Sequence, residues 1–206
     1  MMAQMGFLIN SAECTGCKAC ELACKDVHSF DVGPRARRVR EVCGGGWSQD
    51  ASGAWAPSGV FSYSVSYSCG HCMNPACVEA CPTGAHAKDP DTGIVSINEE
   101  ECIGCRACVE ACPYSAPQFV EAKGVTQKCD MCAELQAHGE EPACVAICPQ
   151  RALKVGDLSE LRAEFGDCAD VAPLPASAET APSVVIVAHR NAKTDAGDVR
   201  MLSLEQ

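Results

Sequence analysis

Large side chains are scarce in this sequence. Its 206 residues include two Trp, three Tyr and five Phe, and eighteen of the residues in its 47% hydrophobic share are cysteine. A chain so short of large apolar groups is hard put to hold two cores by burial alone. Something bonded to the cysteines is therefore expected to do part of the folding work. Basic charge is scarce too: sixteen Lys and Arg against twenty-seven Asp and Glu leave a formal net charge of −11. That speaks against nucleic acid as a partner, because phosphate binding needs a basic footprint. No stretch approaches the roughly eighteen apolar residues of a membrane-spanning helix. The most apolar piece of the C-terminal part, Ser183 to Ala188 (SVVIVA), is far too short. A soluble chain with no direct membrane span is expected. Nucleophile motifs, a P-loop and GxGxxG are missing as well, which predicts no catalytic site of its own.

Cysteine is what the chain has in excess. Such density elsewhere signals a secreted disulfide scaffold. Met1 to Asn10 has neither the basic start nor the apolar run of a signal peptide. Most cysteines also stand two or three residues apart, too close to cross-link distant segments. Sixteen of them fall into four groups of four. The first is Cys14, Cys17, Cys20 and Cys24, spaced C-x2-C-x2-C-x3-C; the second is Cys69, Cys72, Cys77 and Cys81, spaced C-x2-C-x4-C-x3-C-P. The third is Cys102, Cys105, Cys108 and Cys112, spaced C-x2-C-x2-C-x3-C-P; the fourth, Cys129, Cys132, Cys144 and Cys148, has a longer middle gap and again ends in C-P. VEACP occurs at Val78–Pro82 and at Val109–Pro113, with VAICP at Val145–Pro149, and alanine follows each at Ala85, Ala116 and Ala152. Repetition of this kind means one structural unit used several times.

A cubane cluster needs four thiolates at the corners of a tetrahedron. C-x2-C-x2-C bends one loop around three corners, and the fourth corner comes from a partner motif, as in two-cluster ferredoxins. The proline after the fourth cysteine turns the chain away. Zinc is the competing reading, since paired C-x2-C units make zinc ribbons. A zinc site does not call for the C-x2-C-x2-C triplet, and only the fourth group looks zinc-like by itself. Sixteen cysteines thus predict four [4Fe–4S] clusters, which at −2 each would take the total charge to about −19. Groups two and three share the VEACP repeat and are expected to exchange fourth cysteines, leaving groups one and four to close around them. The expected ligand sets are Cys14, Cys17, Cys20 with Cys148; Cys129, Cys132, Cys144 with Cys24; Cys69, Cys72, Cys77 with Cys112; and Cys102, Cys105, Cys108 with Cys81.

Elsewhere the signals are for short strands and turns. Phe61 to Ser68 alternates strictly, with Phe61, Tyr63, Val65 and Tyr67 on one face. Asp89 to Asn98 reads as a turn and a strand, and Asp157 to Phe165 as a short helix capped by Asp157 or Ser159. Cys43 and Cys168 stand outside the groups and are expected to be small buried hydrophobes. Arg35, Arg37, Arg38 and Arg40 form the one basic cluster. It reads as a solvated face, a docking patch, or positive charge that raises a cluster's potential. Lys18, Lys128 and Arg106 could act on potentials the same way. His71 is expected merely to occupy the loop between Cys69 and Cys72.

CTGCKACELAC at Cys14–Cys24, CIGCRACVEACPY at Cys102–Tyr114 and KCDMC at Lys128–Cys132 resemble the four-cluster subunit of dimethyl sulfoxide reductase-type molybdoenzymes. GFLI at Gly6–Ile9, APQ at Ala116–Gln118 and VAPLP at Val171–Pro175 extend the likeness beyond the cysteines. The resemblance implies single-electron relay between a membrane-anchor subunit that oxidises a quinol and a molybdopterin catalytic subunit of an anaerobic reductase. It also implies a location peripheral to the cytoplasmic membrane, on a side the sequence leaves open. In some relatives the first cysteine of the third group is replaced and the cluster is [3Fe–4S]; with Cys102 in that place a full cubane is expected. A free polyferredoxin is the alternative function. The expected fold class is α+β: two interleaved ferredoxin-like modules, each binding two clusters, with a short-strand insertion and an extended C-terminal arm. Residues 1–58 with 121–169 form the first module, 59–120 the second and 170–206 the arm.

Overall fold

Phe7, Leu8 and Ile9 are consecutive apolar residues with no alternation, the pattern of a strand covered on both faces, and all three are buried in β1 (Met5–Asn10). The computed structural model describes residues 4–192 and the backbone of a strand at Arg200–Leu202. After β1 come α1 (Ala19–Val27), β2 (Arg38–Gln49), β3 (Trp55–Tyr67), α2 (Ala76–Glu79), β4 (His86–Lys88), β5 (Val95–Ile97) and α3 (Ala107–Ala111). There follow β6 (Gln118–Val120), β7 (Val125–Gln127), α4 (Ala133–Ala137), α5 (Ala143–Ala146), β8 (Leu153–Asp157), α6 (Leu158–Phe165), β9 (Val184–Val187) and β10 (Arg200–Leu202). Short helices and strands are mixed along the chain, so the α+β expectation holds.

Strand β1 is the middle of a three-stranded sheet. It runs antiparallel to β8, with Phe7 opposite Val155, and parallel to β9, with Phe7 opposite Val184. Helix α6 packs on this sheet through Leu158 and Leu161, beside Leu8 and Val185. The cap expected at Asp157 is there: its side chain accepts hydrogen bonds from the Ser159 and Glu160 amides. Hairpins β4–β5 and β6–β7 flank the second and third cysteine groups. The Asp89 carboxylate accepts from the amides of Asp91 and Thr92, which fixes the turn before β5.

Two expectations are corrected. The insertion is not made of short strands: β2 and β3 are twelve and thirteen residues long and pair from Arg38–Tyr67 out to Gln49–Trp55. The boundary between residues 58 and 59 therefore falls inside β3. Three glycines in a row hide β2 in the sequence, and the ladder slips register between Gly44 and Gly46, as at a β-bulge. Nor is the stretch after residue 170 simply an extended arm. Val184, Val185 and Ile186 are buried in the central sheet, where they cover β1. The Ser183 amide donates to the Gly70 carbonyl and the Met73 amide to the Ala181 carbonyl, so this stretch also straps the second cysteine loop. Residues 193–199 and 203–206 of the expected arm lie outside the described residues.

The core and the cysteines are continuous. Cys20, Cys24, Cys69, Cys129 and Cys144 are packed in the same buried cluster as Phe7, Ile9, Val42, Tyr63 and Val65.

Candidate cluster-binding centre

Strand β1 delivers the chain into the first cysteine loop. The Asn10 side chain accepts hydrogen bonds from the Ala12 and Glu13 amides and fixes the turn out of the strand. Gly16 and Lys18 then take positive φ, 71° and 60°, which curls the loop before α1 begins. The third group repeats this at equivalent positions, with φ of 67° at Gly104 and 63° at Arg106 ahead of α3. Gly104 has no alternative: a Cβ there would lie 2.4 Å from the Gly124 carbonyl oxygen.

Each curled loop closes on a cavity. Cys14, Cys17, Cys20 and Cys148 line one, along with Ile9, Val39 and Leu153. Cys102, Cys105, Cys108 and Cys81 line another, along with His86 and Thr126. In both, three cysteines come from one loop and the fourth from a separate group. The remaining eight thiols lie deeper. Burial pushes Cys24 up to about 12 and Cys132 up to about 11, and neighbouring Cys144 adds to both. Burial also lifts Cys129 well above its ordinary value, with Cys69, Cys144 and Cys24 contributing. In the same way burial pushes Cys72 to about 11 and Cys77 to about 12, with charge from Cys69 and Cys112 on each. Thiols so crowded and dehydrated resist ionisation until a cation neutralises them.

The walls offer what inorganic sulfide needs. The ring nitrogens of His86 are buried with no partner among the described residues, at the cavity of Cys81, Cys102, Cys105 and Cys108, where the Thr126 hydroxyl also lies beside Cys108. Burial holds His86 neutral, down at about 4, so its ring has one N–H to donate. That buried donor requires an acceptor, and a sulfide or cysteine sulfur of a bound cluster would supply one. Backbone amides already donate to cysteine sulfurs, among them His86 to Cys81 at 3.5 Å, Ala116 to Cys112 at 3.5 Å, Met131 to Cys129 at 3.4 Å and Ala152 to Cys148 at 3.3 Å. Two of the donors, Ala116 and Ala152, are repeated alanines, whereas after Cys81 the donor is His86, one residue past Ala85. Ala85, Ala116 and Ala152 are all buried where the chain folds back after C-P.

Several residues that touch the cysteines carry no motif. Ser66 Oγ lies 3.3 Å from Cys20 Sγ, Thr180 Oγ1 donates to Cys72 Sγ at 3.2 Å, and His28 Nε2 is 3.5 Å from Cys132 Sγ. Their sequence distance from those cysteines hides them. His71 does more than occupy its loop. It is fully buried, its Nδ1 accepts from the Val95 amide at 3.0 Å, and burial beside Lys128 keeps it neutral. The basic cluster is no solvated face either. Arg37 is buried, Arg38 donates to the Ser115 carbonyl, and Arg35 pairs with buried Glu21 at 4.0 Å. Cys168, expected to be buried, is exposed, and Cys43 is half-buried on β2. Lys128 is buried, with its ammonium on the carbonyls of Val95 and Cys129.

A 4Fe-4S dicluster domain matches residues 60–158, and a 4Fe-4S binding domain matches residues 11–31. The B subunit of the anaerobic dimethyl sulfoxide reductase of Escherichia coli K12 is 49% identical, over 94% of this chain and 93% of that protein. This chain belongs to the family of iron–sulfur subunits of dimethyl sulfoxide reductase-type enzymes. Similarity within the family is broad. The thiosulfate reductase electron transfer subunit of Salmonella typhi is 40% identical over 76% of this chain and 78% of its own length. The polysulfide reductase B subunit of Wolinella succinogenes is 34% identical over 80% and 82%. As a member of this family the chain carries 4Fe–4S clusters and transfers electrons as a subunit of a reductase complex; it is not the catalytic subunit. No helix among the described residues is long and apolar enough to cross a membrane.

Proposed function

We propose that the chain holds four [4Fe–4S] clusters on the crossed ligand sets, and relays single electrons from a quinol-oxidising membrane-anchor subunit to a molybdopterin catalytic subunit. Cys14, Cys17, Cys20 and Cys148 form one set, and Cys129, Cys132, Cys144 and Cys24 a second. Cys69, Cys72, Cys77 and Cys112 form the third, and Cys102, Cys105, Cys108 and Cys81 the fourth. One observation carries the reading: two cavities are each lined by three cysteines of one loop and the fourth cysteine of a separate group. Each cubane, when bound, takes up or gives one electron with little rearrangement of its surroundings. The chain's own residues fix the spacing, exclude water and set the potential.

The sets make two ferredoxin-like modules. The first carries groups one and four, on residues 1–58 and 121–169, and the second groups two and three, on 59–120, with strand β3 running across the boundary between them. Packing of α1 on α5 and of α2 on α3 supports this division, and hairpin β2–β3 joins the two. Relatives named for dimethyl sulfoxide, thiosulfate and polysulfide reduction share this subunit type, so the substrate is decided in the catalytic subunit. A peripheral position on the cytoplasmic membrane follows from the anchor partner.

Mild anaerobic purification of the tagged chain tests the reading. About sixteen irons per chain, the content of four cubanes, with molybdenum in a large co-purifying partner, is expected. Sixteen irons without any partner would favour a free polyferredoxin, and eight or fewer would remove the four-cluster reading.

A further inference from the structure

Arg37 is 1% exposed, and no described carboxylate lies within ion-pair distance of it. Its Nη1 donates to the backbone oxygen and to the hydroxyl of Ser66, both at 3.3 Å, and its Nη2 donates to the Ser68 hydroxyl at 3.0 Å. The guanidinium sits 4.7 Å from the centre of the Phe7 ring, and Nε has no hydrogen-bond partner among the described residues. A cation taken out of water without a counter-charge is strongly destabilising. The groups placed against it that gain charge when a cluster is held are sulfurs: Ser66, which Arg37 holds, lies 3.3 Å from Cys20 Sγ, and the Arg37 backbone hydrogen-bonds Cys24. Those two thiols belong to two ligand sets, and both sets lie in the first module.

The hydrogen bonds carry the charge further. Because Arg37 Nη1 donates to Ser66 Oγ, the hydroxyl proton of Ser66 can point to its other neighbour, Cys20 Sγ at 3.3 Å. Ser68, held by Nη2, immediately precedes Cys69 of the third set.

We propose that Arg37 is the buried counter-charge shared by the clusters on Cys14, Cys17, Cys20, Cys148 and on Cys129, Cys132, Cys144, Cys24. It is a positioning residue for electron transfer that raises both potentials together, with Ser66 delivering part of the effect to Cys20. The inference rests on the ligand sets proposed above. Each cluster gains one negative charge on reduction, and a fixed cation in a low-dielectric interior favours the reduced form. A cation acting on both clusters shifts the two potentials in the same direction, so it favours reduction of both while leaving the step between them little changed.

The test is a redox titration followed by electron paramagnetic resonance on the anaerobically purified complex. It compares Arg37→Met, Arg37→Lys and Ser66→Ala with the unaltered protein, after iron has been counted. Cys148→Ser and Cys144→Ser identify which signals belong to the two clusters. Arg37→Met is expected to lower the reduced-to-oxidised ratio of both by about tenfold at a fixed ambient potential, a fall of about 59 mV for one electron. Arg37→Lys should keep most of the potential, and Ser66→Ala should lower only the cluster on Cys20. Full iron with unchanged potentials in Arg37→Met would overturn the proposal, as would a fall in Arg37→Lys as large as in the methionine variant. Should Arg37→Met lose iron, Ser66→Ala decides: a lowered Cys20 cluster supports the proposal and an unchanged one overturns it. Failure of the ligand sets shows separately, as an iron count well below sixteen in the unaltered protein.

Discussion

Cys148, in the last cysteine group, lines the same cavity as Cys14, in the first. The pairing closes the molecule on itself: β1 leads into Cys14, β8 leads away just after Cys148, and the two strands run side by side in one sheet. Loss of Cys148 should therefore remove the cluster of the first group, not that of its own. Cys148→Ser and Cys17→Ser are expected to abolish or alter the same paramagnetic signal, and Cys24→Ser and Cys144→Ser a different one. Spin quantification on the four variants checks this. Matching losses in Cys148→Ser and Cys144→Ser would show that the last group keeps its own fourth cysteine.

Exposure differs among the sets. Cys17 and Cys105 are exposed, whereas Cys24, Cys129, Cys132 and Cys144 are all buried. Treatment with an iron chelator and mild oxidant is expected to attack the clusters on Cys17 and Cys105 first and the fully buried set last. Time-resolved iron release, read against the signals assigned by the cysteine variants, gives the order.

Proton competition gives the pH dependence. Burial raises Cys24 and Cys77 to about 12 in the metal-free state, well above an ordinary thiol. A raised thiol pKa favours the protonated form, so each ligand must shed a proton to bind and acid works against binding. The sign is fixed: iron retention during a chelator challenge should fall as pH drops from about 8 to about 6. The same raised values make the metal-free fold lose stability as pH climbs from the ordinary thiol value of 9.0 toward about 12, because the unfolded chain ionises first. Chelation half-lives and metal-free melting curves at several pH values test the two limbs.

Gly104→Ala should be a costly methyl in the third cysteine loop. The residue sits at φ +67° and a Cβ would meet the Gly124 carbonyl at 2.4 Å. The left-handed conformation alone costs roughly 1–2 kcal/mol for a residue with a side chain, and the clash adds to it. A drop in melting temperature with loss of the cluster on Cys102 is expected; a fully loaded, equally stable variant would refute the strained-loop account.

Ending the chain after Thr180 removes β9 and uncovers Leu8 and Ile9. Ile186→Ala, milder, is expected to cost about 2–5 kcal/mol, since Ile186 is buried. Denaturant melts of both compare this stretch with a dispensable arm, whose loss would leave stability unchanged.

How much of this was legible depended on range. The cysteine groups, the strand at Phe61–Ser68 and the cap at Asp157 are written in consecutive residues, where spacing and capping chemistry act locally. Strand β9 was not, because a parallel strand covered on both faces has no alternation, and Val184–Val187 reads as a short apolar run in a polar tail. The burial of Arg37 was hidden for another reason. Its hydrogen-bond partners, Ser66 and Ser68, lie some thirty residues along the chain, and neighbouring arginines made it look like one of a solvated row. Ser66, Thr180 and His28 reach cysteine sulfurs only through folding, so motif spacing could not find them.

The most direct test is an iron anomalous-difference map of the anaerobically prepared, cluster-loaded protein at a resolution that places each sulfur. The account requires four four-iron sites, with Cys148 on the site of Cys14, Cys17 and Cys20, and Cys24 on the site of Cys129, Cys132 and Cys144. A map with Cys20 and Cys24 on one site, or with a single zinc in place of the fourth group's cluster, would contradict it.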